Sequence, residues 1–270
     1  MIRLSRTLLS AAGAVLLVAG CSSGVEGTGQ IAVQMTDAPG DGVQSATVWI
    51  SRIYLVGGSE TSGPRYDVST TAQMFDLLTL TNGATAALGT ATIPVGDYTQ
   101  LRFVVDSARV TLKAPLMFSD GSSSKVLKTP SGQQSGIKVN FSGPVHVAAG
   151  QTILVVDFDV ARNFVFTGPS ASPTGVIFKP VLHATVRDVA GSIAGTVLPA
   201  NSKSRLYAIM NGDTVTSALA DSVTGAYKLW FLPPGSYAVA ATATGLQTQS
   251  TNVSVAQAQN VISLNFTLTP

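Results

Sequence analysis

Asp157 and Asp159 are the two residues whose type and spacing best suit chemistry, since they stand at the end of an apolar run that begins at Ile153. In a β-strand, residues i and i+2 face the same side, so the two carboxylates would lie ~6–7 Å apart. Such a pair fits a hard cation such as calcium and approaches the carboxyl separation of an inverting glycosidase. The alternative is structural, with both aspartates bonding to a turn or pairing with Lys138 or Arg102.

Asp37 lies in a turn-forming stretch, residues 36–42, that directly follows the first predicted strand. An aspartate in such a stretch commonly closes an Asx turn through its own side chain. The same carboxylate could instead join the later aspartates in one polar cluster. The candidate ligand-binding or structural cluster is made of Asp37, Arg102, Lys138, Asp157 and Asp159.

Other patterns that would carry catalysis are weak in this sequence. The Ser-x-x-Lys spacing that starts at Ser122 falls in a Gly/Ser loop, and the one that starts at Ser135 leads into a strand. Penicillin-recognising enzymes rely on a helix to bring this serine and lysine together, whereas residues i and i+3 of a strand point apart. Neither of the two histidines, His146 and His183, belongs to a zinc or nucleophile motif. We therefore expect no catalytic residue, no resident cofactor and no enzymatic activity.

Most of the remaining chain alternates apolar and polar residues, which is typical of β-strands. Charged residues make up 11% of the chain and glycines number 26, a balance that favours strands and turns over helices. Short strands separated by turns that contain Gly, Pro and Asn indicate a β-sandwich architecture. The predicted strands are residues 30–35, 45–56, 101–106, 137–141, 153–158, 176–186, 192–197, 205–210, 214–220, 227–231, 237–242 and part of 252–268.

One segment, residues 72–80, departs from this alternation. Met74, Leu77 and Leu78 recur at helical spacing, and an Asn-Gly pair that follows supplies a helix stop. We expect a short helix there. The predicted fold class is therefore all-β, with two β-sandwich modules and one short helix in the first of them.

The two modules are expected to cover residues 29–189 and residues 190–270, joined near an Ala-Gly pair. Each contains a turn fixed by proline, then a glycine able to adopt positive φ, then a tyrosine that opens a strand. These matching stretches are residues 93–98 and residues 232–237. The match supports two sandwich-like modules, whether it arose by convergence or by shared ancestry.

Cys21 is the only cysteine of the chain and directly follows Val-Ala-Gly. Two arginines, Arg3 and Arg6, and an apolar run over residues 8–19 precede it. This order is that of a secretory signal peptide, and the run is shorter than the roughly 20 residues that cross a bilayer. We expect residues 1–20 to be the signal peptide and residues 21–28 to form a flexible tether.

The residues around Cys21 resemble the lipobox of bacterial lipoproteins. The resemblance implies a covalent diacylglycerol on the cysteine sulfur and a further acyl chain on its amine, which together make a stable membrane anchor. Ser22, rather than an aspartate, follows the cysteine. In Gram-negative lipoproteins that choice implies transfer to the outer membrane.

The net charge and the single cysteine limit which partners and which stabilising bonds the mature protein can have. The signal peptide contains two arginines and no acidic residue, so the remaining Lys and Arg equal the 14 Asp and Glu and the mature chain is neutral. No basic stripe remains, and we expect no nucleic-acid partner. With Cys21 lipidated, no thiol is left for a disulfide, so hydrophobic cores must hold the modules.

The second module resembles the carboxypeptidase regulatory-like, or transthyretin-like, sandwich. The resemblance rests on Gly-Ser-Ile-Ala-Gly-Thr-Val at residues 191–197, Thr-Gly-Ala-Tyr at 224–227 and Leu-Pro-Pro-Gly-Ser-Tyr at 232–237. It implies a carbohydrate-binding-like fold, although fold alone does not assign a ligand.

The first module resembles a bacterial lipoprotein domain family of unknown function. The residues that carry this resemblance are Thr-Asp-Ala-Pro at 36–39, Pro-Ser-Gly-Gln-Gln-Ser-Gly-Ile-Lys at 130–138 and Asp-Phe-Asp at 157–159. Because the family has no established activity, the resemblance implies an architecture and leaves the ligand open.

The expected function is that of an exported, lipid-anchored, non-enzymatic protein that binds or displays something at the surface or in the periplasm. Its partners would be the membrane, through the lipid on Cys21, and a carbohydrate or a surface protein. One alternative is a carbohydrate-binding module that supports a partner enzyme. Another is a carboxylate-dependent hydrolase that uses Asp157 and Asp159.

Overall fold

A computed structural model describes residues 27–38, 40, 42–58, 63–129, 135–141 and 143–270. The predicted signal peptide, Cys21 and most of the predicted tether lie outside the described residues. So do Pro39 and residues 130–134, which belong to two of the motifs quoted above. Within the described ranges, no helix is long and apolar enough to cross a membrane.

β-Strands dominate the structure, and the all-β prediction is confirmed. The strands up to residue 186 are β1 (Thr28–Thr36), β2 (Val43–Gly57), β3 (Arg65–Ser69), β4 (Gln73–Asp76), β5 (Ala86–Pro94), β6 (Gly96–Leu112), β7 (Ser124–Lys128), β8 (Ile137–Phe141), β9 (Val145–Val147), β10 (Gln151–Asp157), β11 (Phe164–Thr167), β12 (Gly175–Phe178) and β13 (Leu182–Val186). The later strands are β14 (Gly191–Leu198), β15 (Arg205–Met210), β16 (Asp213–Leu219), β17 (Ala226–Leu232), β18 (Gly235–Thr242), β19 (Gln249–Val255), β20 (Asn260–Val261) and β21 (Phe266–Thr267).

The first module, β1 to β13, is built around one mixed sheet whose main path runs β3-β2-β6-β8-β13-β10-β1-β5. β1 is parallel to β10 and β8 is parallel to β13, while the other neighbours on the path are antiparallel. The sheet curls until its end strands, β3 and β5, contact each other. Gly89 permits this approach, because a Cβ at that position would lie 2.7 Å from the Val68 carbonyl oxygen. The curled sheet is nearly closed around the first hydrophobic core.

The second module, β14 to β21, has two sheets that face each other. One sheet has the order β17-β14-β20, with β21 also paired to β14, and the other has the order β16-β15-β18-β19. Apolar side chains from both sheets, including Ile193, Leu206, Leu229 and Val239, form a second buried cluster. This sandwich-like arrangement agrees with the regular spacing of short strands in the sequence.

The helix expected over residues 72–80 is formed only in its last part. Leu77–Leu80 is a 3-10 turn, whereas the residues before it form β4 and pair with β2, so that Met74 lies opposite Trp49. The Asp76 carboxylate explains the change of structure, since it accepts the amide hydrogens of Leu78 at 3.2 Å and of Ala46 at 3.1 Å. A separate short helix, α1 (Val160–Asn163), directly follows the Asp-Phe-Asp stretch.

The two matching proline-glycine-tyrosine stretches form the same corner in both modules. The Tyr98 hydroxyl donates to the Pro94 carbonyl oxygen at 2.7 Å, and the Tyr237 hydroxyl donates to the Pro233 carbonyl oxygen at 2.5 Å. Both tyrosine side chains are buried in their own core. Such a corner fixes the entry of a chain into a strand of a β-sandwich.

Candidate functional site

Asp37, Asp157 and Asp159 come together at one end of the first module, and we call them the aspartate cluster. Asp37 follows β1 and Asp157 ends β10, and these strands are parallel neighbours with Thr36 opposite Asp157. Because the carboxyl ends of parallel strands meet at one edge of a sheet, all three side chains reach the same place. Asp37 and Asp159 are 5% and 4% exposed, and Asp157 is half-buried.

The prediction that Asp157 and Asp159 share one face of a strand is wrong, because β10 ends at Asp157. Phe158 is fully buried in the first core, and Asp159 takes a left-handed conformation with φ of 33° that turns the chain into α1. The Asp157 carboxylate accepts the amide hydrogen of Asp159 at 3.1 Å. The Asp37 carboxylate accepts the amide hydrogen of Val160 at 2.9 Å. Part of the cluster therefore orders its own backbone, as the structural alternative predicts.

The second module covers the aspartate cluster with polar side chains. The Thr216 hydroxyl lies beside Asp157, and the Ser217 hydroxyl lies beside Asp159. Arg162 of α1 bridges the two modules, since its guanidinium donates to the Thr214 carbonyl oxygen at 2.5 Å. The cluster is thus enclosed at the junction between the modules.

Burial is the main cause of unusual protonation in the cluster. It raises the pKa of Asp157 to about 7, with the nearby charge of Asp159 as the second cause. Burial and the charge of Asp157 raise the pKa of Asp37 well above its usual range. The pKa of Asp159 is also raised by burial, although the Ser217 hydroxyl and the Arg205 guanidinium oppose the shift.

Several oxygens of the cluster lack a hydrogen bond within the described part of the chain. They are Oδ2 of Asp37 and both carboxylate oxygens of Asp159. A buried carboxylate without full pairing is costly unless it holds a proton or a nearby cation compensates its charge. The arrangement is therefore suited to holding a proton among three carboxyl groups.

Arg102 and Lys138 do not join the aspartate cluster. The Arg102 guanidinium donates to the Gln100 side-chain oxygen at 2.8 and 3.0 Å and to the Gly136 carbonyl oxygen. Lys138 lies opposite Arg102 on β8, which β13 separates from β10 in the sheet. Their predicted place beside the aspartates is taken by Arg162 and Arg205, neither of which the sequence patterns had indicated.

His183 of β13 lies opposite Asp157 in register and at the edge of a cleft of about 290 Å³ between the modules. Its Nε2 atom is buried and has no hydrogen-bond partner among the described residues. Burial and the charge of Arg162 lower its pKa, so the ring is neutral near pH 7. His146 lies elsewhere, paired with the exposed Asp97 at 2.8 Å.

The space inside the junction is small. The gap lined by Asp37, Asp157, Thr216 and Trp230 has a volume of about 20 Å³, which is room for a water molecule. A sugar ring does not fit there. Within the described ranges, no group of three or more His, Cys, Asp or Glu side chains is arranged to hold a metal. Calcium at Asp157 and Asp159 remains a prediction.

Two aromatic side chains of the second module, Trp230 and Tyr227, make structural contacts. Trp230 packs across the junction against Gly83, where a Cβ would lie 2.9 Å from the indole ring, and the Lys228 ammonium lies 3.6 Å from the ring centre. Tyr227 is buried, and its hydroxyl donates to the Leu264 carbonyl oxygen at 2.6 Å. These residues form parts of the cores and of the junction.

The fold and the enclosed cluster define an all-β protein in which two sheet-built modules meet across a polar junction. The chain belongs to the family described as Domain of unknown function (DUF4382), whose model matches residues 28–180. This confirms the resemblance of the first module to an uncharacterised domain family. No curated protein matches the sequence.

Solved structures with some likeness are bacterial. The Bacillus anthracis TIE protein is 11% identical with a TM-score of 0.25, and the match covers 90% of this chain and 34% of that one. BcpA, the major pilin subunit of Bacillus cereus, is 11% identical with a TM-score of 0.24, and the match covers 90% of this chain and 70% of that one. This chain thus spans about a third of the length of the TIE protein.

Proposed function

We propose that this protein is an exported, lipid-anchored, non-enzymatic lipoprotein that binds or displays a partner at the cell surface or in the periplasm. The observation that carries the proposal is Cys21, placed directly behind a basic, apolar and small-residue signal pattern. The short stretch from the cysteine to β1 would serve as the tether. Ser22 favours the outer membrane as the destination.

The proposal includes two folding units, residues 29–189 and residues 190–270, the second of them carboxypeptidase regulatory-like. Two separate hydrophobic clusters support this division, one confined to the first module and the other to the second. Since a lipidated Cys21 leaves no thiol, these cores would supply the stability that disulfides give many exported proteins.

A non-enzymatic role is supported by the position of the aspartate cluster. The second module covers the cluster, and the carboxylates of Asp157 and Asp37 each accept a backbone amide hydrogen. A general acid or base must reach a proton on its substrate within hydrogen-bond distance, and the gap beside the cluster is about the size of a water molecule.

Replacing Cys21 with serine should abolish the membrane anchor. In a Gram-negative host fed labelled palmitate, the wild-type chain should carry the label and sediment with membranes. Cys21→Ser should carry no label and lose most of its membrane association, because the two or three acyl chains that anchor the wild-type protein are absent from it. Scintillation counting of the bound palmitate and membrane fractionation of the two chains measure the label and the membrane association.

Ser22→Asp is the matched control, since it leaves the cysteine intact. It should keep the full palmitate label while moving the protein from the outer to the inner membrane. An unlabelled wild-type chain, or a labelled Cys21→Ser chain, would contradict the proposed anchor.

A second candidate function is carbohydrate binding on behalf of a partner enzyme. The observation that favours it is a surface groove of about 660 Å³ on the first module, lined by Tyr66, Tyr98, Asp97 and three prolines. Aromatic and apolar walls with a few polar groups are typical of small-molecule sites. The ring of Tyr66 meets that of Tyr98 edge to face, with centroids 5.7 Å apart.

The groove predicts retention of the Cys21→Ser chain on at least one glycan of an array. Tyr66→Ala should lower that retention by roughly tenfold, since a stacked aromatic contributes about 1–1.5 kcal/mol. Tyr207→Ala, a half-buried strand tyrosine of the second module, is the control and should bind like wild type. Binding to no glycan at all would remove this candidate.

A further inference from the structure

The junction between the modules brings three aspartate side chains together in a largely enclosed space. Asp37, Asp157 and Asp159 come from the first module, and the second module closes over them with Thr216 and Ser217. Two of the three side chains are nine-tenths buried or more and have oxygens without a hydrogen bond within the described residues. Charge on Asp37 and Asp159 must be compensated mainly inside the junction, because these two side chains are almost fully shielded from solvent.

Charged and titratable groups face the cluster from each element packed against it. Cationic groups are supplied by α1, β15 and β17, and further titratable groups by β13 and β16. They are Arg162, Arg205, Lys228, His183 and Asp213. The three cations offset part of the acidic charge, but Lys228 is drawn toward the Trp230 ring. The two guanidiniums closest to the cluster are therefore fewer than its three carboxyl groups.

We infer that the docking of the second module onto the first is a proton-dependent latch, held tightest when the aspartate cluster shares a proton and loosened when that proton leaves. Opening would return the carboxylates to water, where they carry their charge at no cost. The latch concerns how the modules sit on each other and is independent of the lipid anchor and of any glycan.

The direction of the pH effect follows from linkage. The pKa of Asp157 is raised to about 7 in the docked state, above its ordinary value of 3.8. The docked state therefore binds more protons, and titration of Asp157 lowers its stability as the pH rises from about 4 to about 7. The lowered pKa of His183 acts in the opposite sense, since its contribution is present above 6.5 and is lost as the pH falls through the lowered value.

The chain offers its own reporter of docking. It has two tryptophans, and Trp230 packs on Gly83 at the junction. In a full-length Trp49→Phe chain held in detergent, acrylamide quenching therefore reports on Trp230 alone. Calorimetry gives a second readout, because docked modules melt together and undocked modules melt apart.

We expect the docking equilibrium constant to fall by up to about tenfold per pH unit from about pH 4 to about pH 7. Quenching should rise and the melting transition should split along that range. Asp157→Asn should weaken this pH dependence by about one proton released per undocking event, which is up to about tenfold less change in the docking constant per pH unit. Asp37→Asn provides the same test should the first variant not fold. Asp67→Asn, at an exposed aspartate paired with Arg52, should keep the wild-type slope.

A pH-independent wild-type profile would overturn the latch, as would an unchanged slope in both Asp157→Asn and Asp37→Asn. Loss of the slope in His183→Gln would assign the proton to the histidine and would also overturn it. Calcium provides the last arm. If added calcium restores docking at high pH in the wild-type chain and not in Asp157→Asn, a bound cation rather than a shared proton holds the modules together, and the proton-dependent latch is overturned.

Discussion

Gly195→Ala is expected to unfold the second module or to lower its stability by about 3 kcal/mol. A Cβ at Gly195 would lie 1.9 Å from the carbonyl oxygen and 2.6 Å from the carbonyl carbon of Leu264. Backbone atoms cannot swing aside as a flexible side chain does. β14 would have to move away from the C-terminal segment, with loss of the bond from the Leu264 amide to the Ala194 carbonyl oxygen. Thermal and urea unfolding of the variant measure the loss.

Gly143→Ala is the matched control for this variant. The space around Gly143 is open, with no heavy atom of the described residues within 4 Å of an added Cβ. Its free energy of unfolding should lie within about 0.5 kcal/mol of the wild-type value. Equal stability of Gly195→Ala and Gly143→Ala would show that the contact between β14 and Leu264 is not tight.

Arg162→Met is expected to destabilise the junction by about 1.5–3 kcal/mol, the contribution of a hydrogen bond made by a charged group, because the bond from the half-buried guanidinium to the Thr214 carbonyl oxygen is lost. The guanidinium lowers the pKa of both Asp157 and Asp159 and bonds to the Thr214 carbonyl oxygen. Methionine keeps the apolar stem and removes the charge. The loss should therefore be electrostatic, and it should be larger at pH 8 than at pH 5, because more carboxylates are charged there.

Arg187→Met serves as the comparison, since Arg187 is an exposed arginine that bonds to the Gln34 side-chain oxygen at 3.1 Å. An exposed pair of this kind contributes little, about 0–1 kcal/mol. Urea unfolding of both variants at the two pH values gives the difference. A pH-independent loss in Arg162→Met would contradict an electrostatic role for this residue.

Local pattern was enough to predict most of the strands. Alternation over residues 45–56 and 101–106 corresponds to β2 and β6, and the interruption at Pro180 falls between β12 and β13. The helix expected over 72–80 was largely wrong because Met74 pairs across the sheet with Trp49. That pairing is a long-range contact, which helical spacing does not report.

The sequence predicted the acidic residues of the site, but not the arginines that lie beside them. Asp37 was singled out with Asp157 and Asp159, and the parallel pairing of β1 and β10 brings them together. Arg205 approaches from the other module, and no local periodicity links it to them. The enclosure of the cluster was equally hidden, because it depends on how two independently patterned modules pack.

The parallel pairing of β1 with β10 also limits how early the sheet of the first module can be completed. Gln30 lies opposite Gln151, so one edge of β1 stays open until β10 has been synthesised, and β13 must then fill the place between β10 and β8. Contacts so distant in sequence form slowly, because a long loop must close first. Late closure of this kind fits the export proposed above, since the sheet of the first module cannot be completed before the strands up to Val186 have been synthesised.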